Sequence, residues 1–536
     1  MTGLFSSKQD SIHASDGEPT GLCRRLLVLL AVCALAAGCT AVGPDFEKPT
    51  VAEMRDWTID NPVIDRNSVD LRRWWTVFND PLLNQLIEES FRQNLSLQIA
   101  GLRILEARAR LGIAEGRLYP QVQQINGSVS QNRISENAPN YNPLADNKFT
   151  NYQAGFDAVW EIDFWGRFAR GVEADTANLN ATFADYDDAM VSLAAEVARA
   201  YVVVRTRETQ IQLARANIKL QAESLRIAQV RHDNGETSNL DVQQAKSNLA
   251  STRASIPPLT SSLRQALNGL SILLAKPPGE LQLDEAGIDG IPQAPALVAV
   301  GVPAELLRRR PDVRSAEYQA ASQAALIGVA EGDLYPKFSL FGSIGLQTSN
   351  SGTSSAGDLF NSDSLVFSAG PQFSWDIFNY GRIRNQVRVQ DARYQQTLVN
   401  YQDTVLRAYQ ETENALVGFV QARDEADFRK QSADAAQLAT ELANIQYREG
   451  ASDFQRVIDS ERSLVAQQDL WTSARGNIAL NLIALYKALG GGWSLRIDPD
   501  SRLPDYVSRQ TREEMTQRTN WGNILEPTGR NQPATE

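Results

Sequence analysis

One motif occurs twice, and the distance between its copies constrains the fold more than any other feature of the chain. Trp160-Glu161-Ile162-Asp163-Phe164-Trp165-Gly166-Arg167 has an edited copy in Trp375-Asp376-Ile377-Phe378-Asn379-Tyr380-Gly381-Arg382. Nearly the same offset relates Ala114-Glu115-Gly116-Arg117-Leu118-Tyr119-Pro120 to Ala330-Glu331-Gly332-Asp333-Leu334-Tyr335-Pro336, in the same order. Two motifs repeated in register imply an internal duplication. So long a period means two half-domains rather than a solenoid, whose units run to about 20–50 residues.

A very long helical pattern follows each copy. From Arg167 to about Asn234 there is no proline, and Gly171 is the only glycine. From Arg382 to about Glu449 there is no proline, and Gly418 is the only glycine. At about 1.5 Å per residue each helix would reach roughly 100 Å. Val197, Tyr201 and Val204, then Leu220, Leu225 and Ile227, set apolar residues at close helical spacing, as in coiled-coil packing. Each helix then stops at a glycine, in Asn234-Gly235-Glu236-Thr237-Ser238 and Glu449-Gly450-Ala451-Ser452-Asp453. Glycine ends a helix and the Ser/Thr/Asp cluster caps the next. The returning helices run through Pro257-Pro258 to about Ala275, and from Asp453 to Leu489.

The stretch before each long helix reads as a strand pair. Tyr152, Ala154, Phe156, Ala158, Trp160, Ile162 and Phe164 alternate with a mostly polar set, which is the period of a strand with one apolar face. Residues 121–131 give a weaker first strand. In the second copy Phe338, Leu340, Gly342, Ile344 and Leu346 form one strand, and Phe367, Ala369, Pro371, Phe373, Trp375 and Ile377 the other. Such strands fit a transmembrane β-barrel, and equally one face of a soluble sandwich. Upstream, Asp80-Pro81 starts a helix whose apolar stripe continues toward Tyr119-Pro120.

The first residues carry processing information. Arg24-Arg25 precedes an apolar run from Leu26 to Ala37, too short to span a bilayer and suited to a signal-peptide core. It ends in Ala36-Ala37-Gly38-Cys39, which resembles a bacterial lipoprotein cleavage box with Cys39 as the lipid carrier. Cys23, Cys33 and Cys39 all lie in or beside this leader, and His232 is the one histidine after it. A mature chain so composed has no internal disulfide and no residues for a His/Cys metal cluster, and its single histidine all but excludes a histidine-dependent triad. A formal charge of −12 argues against a nucleic-acid partner. The implied organisation is a signal peptide (1–38), a lipid-anchored tether (39–80), a first repeat (81–278), a Pro/Gly-rich connector (279–302), a second repeat (303–492) and a C-terminal tail (493–536), polar and poorly ordered from Pro504 onward.

Four strands cannot close a membrane barrel, because bacterial barrels start at about eight. An open sheet edge in lipid would leave backbone groups unpaired. Membrane strands therefore require protomers to pool them, and the long hairpins would form a tube below the barrel.

Several motifs now carry a family resemblance. Leu306-Leu307-Arg308-Arg309-Arg310-Pro311-Asp312-Val313-Arg314-Ser315-Ala316-Glu317 resembles the signature of the TolC-like outer-membrane efflux proteins. Leu485-Tyr486-Lys487-Ala488-Leu489-Gly490-Gly491-Gly492-Trp493 resembles the end of their last helix. Val42-Gly43-Pro44-Asp45-Phe46, after Cys39, resembles their lipoprotein branch, the OprM and NodT group. The resemblance spans roughly residues 39 to 495. It implies a mainly α protein with a transmembrane β-barrel: a homotrimer with a 12-stranded β-barrel continuous with a 12-helix periplasmic α-barrel. It implies no cofactor and no catalysis. The duct would pass drugs or other small toxic compounds from an RND-type inner-membrane transporter and a periplasmic adaptor to the exterior.

By the same resemblance Asp459 and Arg462 ring the periplasmic aperture. They lie three apart on one helix face, within reach of bonds inside or between protomers. Gln455 stands where the OprM-like channels carry a plugging leucine. Asp241, Gln244 and Ser247 occupy corresponding places in the first repeat. Gly235, Thr237, Ser238, Gly450, Ala451 and Ser452 form the turns that would meet the adaptor. Arg310-Pro311-Asp312 is assigned a structural role in starting a helix. Read from residues alone, an Asp/Arg pair at this spacing is ordinarily a solvated helix surface. Competing assignments are a type I protein-secretion duct, a metal-efflux duct or a periplasmic coiled-coil scaffold. A methionine-lined soft-metal route is disfavoured by only Met1, Met54, Met190 and Met515.

Overall fold

A computed structural model describes residues 41–51, 56–67, 70–139, 141–144, 146–283, 290–301, 309–497, 507 and 509–518. The leader, Cys39, Leu306, Leu307 and Arg308 lie outside the described residues. Helix α1 (Pro81–Gln93) precedes a plan that is then executed twice. Helices α2 (Leu95–Gly116), α3 (Arg167–Asp233) and α4 (Asn239–Leu273) contain 22, 67 and 35 residues. Helices α5 (Pro311–Gly332), α6 (Arg382–Arg448) and α7 (Phe454–Ala488) contain 22, 67 and 35 again. No described helix is long and apolar enough to cross a membrane.

The chain divides into two compact units that cut across the repeats. The first comprises Met1–Asp45, Ala114–Val172 and Ala325–Gln390. It holds a four-stranded antiparallel sheet in the order β1 (Val122–Arg133), β2 (Lys148–Ile162), β3 (Lys337–Ser349), β4 (Leu365–Ser374). Register places Ile125 opposite Phe156, Phe156 opposite Ile344, and Ile344 opposite Phe367. Ile162, Phe338 and Phe373 form a second such row. Directly opposed residues share a face, so an apolar band crosses all four strands. That band is bare in the protomer, with Ile125 88% and Phe367 79% exposed. β1 and β4 each keep one edge unpaired within the protomer. The duplication reaches individual bonds: Trp160 Nε1 donates to Leu118 O at 3.2 Å, and Trp375 Nε1 donates to Leu334 O at 2.9 Å.

The expected tether is more ordered than its proline and glycine imply. Val42 N donates to Trp165 O at 3.0 Å. The buried Arg170 guanidinium donates to Val42 O at 3.1 Å, Gly43 O at 3.2 Å and Asp45 Oδ1 at 2.7 Å. A Cβ on Gly43 would collide with the Cα of Gly328, so this strap lies on bare backbone.

The second unit comprises Phe46–Ile113, Glu173–Ala324 and Asp391–Glu536. Its main core gathers Trp74, Trp75, Leu83, Ile87, Met190, Tyr201, Phe419 and Tyr486. The ring of Trp74 stacks on Tyr486 at 5.3 Å, so the tryptophan pair packs inward. Two expectations need correction. The stripe after Pro81 is two helices, because Asn94 leaves the helical backbone. Its Oδ1 caps Leu97 N at 2.9 Å and its Nδ2 donates to Leu273 O at 3.0 Å, local bonding that competes with the helix. The tail contains a 3-10 turn (Trp493–Ile497) and helix α8 (Arg509–Arg518). The turn is held because Arg496 donates to the fully buried Asp187 at 2.6 and 3.1 Å, beside Arg314 at 3.4 Å.

Candidate functional site at the hairpin tips

The two turns are built alike. Glu236 N donates to Arg231 O at 2.8 Å and Gly235 N to His232 O at 2.9 Å; Ala451 N donates to Gln446 O at 2.8 Å and Gly450 N to Tyr447 O at 3.1 Å. These are paired Schellman closures. They require left-handed backbone at the glycine, and φ is +78° at Gly235 and +73° at Gly450. Asp453 caps α7 by accepting from Arg456 N at 3.2 Å. A small apolar core holds the hairpins together: Ala228, Val242, Ala245, Ala443, Tyr447, Phe454, Val457 and Ile458. Arg231 bonds Tyr447 O and stacks on the Tyr447 ring at 4.7 Å. Burial raises the pKa of the Tyr447 hydroxyl.

Gly235, Ser238, Gly450 and Ala451 are exposed, and Thr237 and Ser452 are half-buried. Thr237 Oγ1 donates to Asp241, and Ser452 Oγ lies 3.4 Å from Asp453 O. Along the facing turns of α4 and α7 runs a polar zipper. Gln244 Nε2 donates to Gln455 Oε1 at 3.3 Å, and Gln455 Nε2 donates to Asp459 Oδ1 at 3.0 Å. Arg462 Nε donates to Asn248 Oδ1 at 3.3 Å. Asp459 and Arg462 form no ion pair within the protomer; Gln455 and Asn248 take those places. Ser247 is exposed. The structure thus brings Gln244, Gln455, Asp459 and Arg462 onto one seam, with Thr237 of the turn bonded to Asp241 of α4.

Sequence reasoning passed over Asn248, Ser224 and Glu461. Glu461 is 2% exposed, and burial raises its pKa against the opposing effect of bonds from Ser224, Asn248 and Asn444. The available signal was its spacing. Phe454, Val457, Glu461 and Leu464 follow the buried stripe of α7, so a carboxylate sits at a core position.

The profile of a family described as outer membrane efflux protein matches residues 86–276 and 302–491. The chain belongs to the outer membrane efflux protein family. Among curated relatives, this efflux protein is 31% identical over 430 residues to the pyoverdine export outer membrane protein OpmQ of Pseudomonas aeruginosa, covering 79% of this chain and 88% of OpmQ. It is 28% identical over 471 residues to the probable outer membrane lipoprotein SilC of Salmonella typhimurium, covering 87% and 98%. Among solved structures, the outer-membrane channel OprN superposes with a TM-score of 0.77 at 32% identity, covering 84% of this chain and 99% of OprN. The protein is an outer-membrane efflux duct and not an enzyme. Proteins of this kind work with an adaptor and an inner-membrane pump in tripartite efflux, and TolC-like channels are trimers.

Proposed function

We propose that three copies form the duct. The observation that carries this is the four-stranded sheet with a bare apolar band and two open edges. In lipid those edges would strand backbone groups at several kcal/mol each, roughly. Joining β4 of one copy to β1 of the next satisfies them, and three copies give a 12-stranded barrel. The paired hairpins then supply twelve helices to a periplasmic tunnel. Cys39, three residues before the clamped strap in sequence, carries the acyl chains, as the lipoprotein name of SilC supports.

The hairpin turns dock a periplasmic adaptor through Gly235, Thr237, Ser238, Gly450, Ala451 and Ser452. An RND-type transporter supplies the energy. The cargo is drugs or other small toxic compounds, a class in line with the solvent-efflux name of the Pseudomonas putida relative SrpC. Gln455, Asp459 and Arg462, with Asp241 and Gln244, narrow the periplasmic end. Within a protomer Gln455 takes one Asp459 oxygen, which leaves the other for a neighbouring copy. The double substitution Asp459→Ala with Arg462→Ala is expected to raise passive single-channel conductance and antibiotic entry. Unchanged values of both would refute the aperture assignment.

A further inference from the structure

Glu461 is next to Arg462 in sequence but turns into the helical bundle. Its Oε1 accepts from Ser224 Oγ at 2.5 Å and its Oε2 from Asn248 Nδ2 at 2.9 Å. Ser224 Oγ also lies 3.1 Å from Asn444 Oδ1. Side chains of α3, α4 and α6 therefore converge on one carboxylate of α7. Charged groups on these elements include Glu223 and Arg226 on α3, which pair with each other. Lys246 lies on α4, Glu441 and Arg448 on α6, and Asp459 and Arg462 on α7. None of them makes an ion pair with Glu461. The repeat partner of Glu461, 215 residues earlier, is Lys246, which is exposed. Helix packing by itself therefore does not call for a buried carboxylate here.

Asn248 touches both neighbours at once. Its Nδ2 is spent on Glu461 and its Oδ1 accepts from Arg462. An ionised carboxylate only accepts, so Asn248 must turn its amide hydrogens toward Glu461 and its carbonyl toward Arg462. A protonated carboxyl can donate. Only Arg462 then favours the present orientation, and an Asn248 that turns over to accept from the carboxyl presents its amide hydrogens to a guanidinium that offers donors only.

We propose that the charge state of Glu461 fixes the orientation of Asn248, and through it holds Arg462 in its resting position at the aperture. Glu461 is thus a positioning residue for conduction, resting on the reading of Arg462 as an aperture residue. Protonation frees Arg462 and loosens the tip.

The test is single-channel recording of the lipidated trimer from about pH 5 to pH 8, a range in which unperturbed carboxylates stay largely ionised. Wild type is expected to show open occupancy that rises several-fold on acidification. Glu461→Gln, close in shape, should give raised occupancy that no longer responds to pH. Asn248→Leu should do the same with Glu461 intact. A flat wild-type profile overturns the proposal without any variant, as does a Glu461→Gln channel that keeps the wild-type response. If Arg462→Ala is itself silent at every pH, the aperture reading falls and this inference with it. If Arg462→Ala opens the channel while Glu461→Gln and Asn248→Leu behave as wild type, only this inference fails. Recording only inserted channels of trimer mass excludes misfolded protein.

Discussion

Arg310 offers the sharpest test of how the second unit is held together. It is 7% exposed and meets three partners. It forks onto Asp312 at 3.0 and 2.7 Å, reaches Glu411 of α6 at 2.8 Å, and donates to Ala488 O at 2.6 Å. Ala488 O belongs to the last turn of α7, where carbonyls have no partner inside the helix. Arg310→Met keeps the bulk of the side chain and removes every bond. Ala488 O would keep only the Thr412 hydroxyl, 3.5 Å away and shared with Ala408 O, and a buried carbonyl so poorly paired costs about 1–3 kcal/mol. The lost charged bonds add roughly 1–2 kcal/mol, discounted because Asp312 and Glu411 retain solvent contact. The expected loss is about 3 kcal/mol. Arg310→Lys keeps the charge but not the fork, and should lose about half as much. Arg407→Met is the control: its partner Asp403 is exposed four residues away, and such pairs contribute about 0.3–0.5 kcal/mol. Urea unfolding of the detergent-solubilised protein, followed by helical circular dichroism, reads all three. Arg310→Met no more destabilising than Arg407→Met would refute the assignment. Altered unit conductance in surviving Arg310→Lys channels would refute a purely structural role.

Two further predictions follow from the tips. Gly235→Ala and Gly450→Ala each force a Cβ into left-handed backbone and should cost about 1–2 kcal/mol, read as lowered thermal midpoints; an unchanged midpoint would show that the turns rearrange freely. Because burial raises the pKa of Glu461, the native state holds its proton more tightly than the unfolded chain. The stability from that proton is complete below the unfolded value of about 4.3 and is lost as pH rises through the raised native value. Glu461→Gln should flatten that decline, and an unchanged slope would place the titration elsewhere.

The duplication, the four strands and both hairpins were legible because each has a period or a punctuation mark. Proline-free runs end at Gly235 and Gly450, and the alternation from Tyr152 to Phe164 admits one face. β1 was faint because Gln123 and Gly127 interrupt the face that carries Ile125 and Val129. The break at Asn94 was hidden because the apolar stripe resumes almost in phase beyond it. The strap at Val42–Asp45 was invisible because its partner Arg170 lies more than a hundred residues away. At the tip, Asp459 and Arg462 looked like partners from their spacing. Asp459 instead takes Gln455, one turn back on its own helix, and Arg462 takes Asn248 from α4. Glu461 was overlooked because a glutamate on a helix reads as solvated unless its place in the apolar stripe is counted.

The central claim is that this chain forms a gated trimeric duct through the outer membrane. Single-channel conductance of the purified, lipidated protein in a planar bilayer, with its mass determined in detergent, tests it most directly. The account predicts a trimer with small, flickering conductance. A monomeric protein without conductance, released from membranes by alkaline washing, would contradict it and favour a periplasmic scaffold.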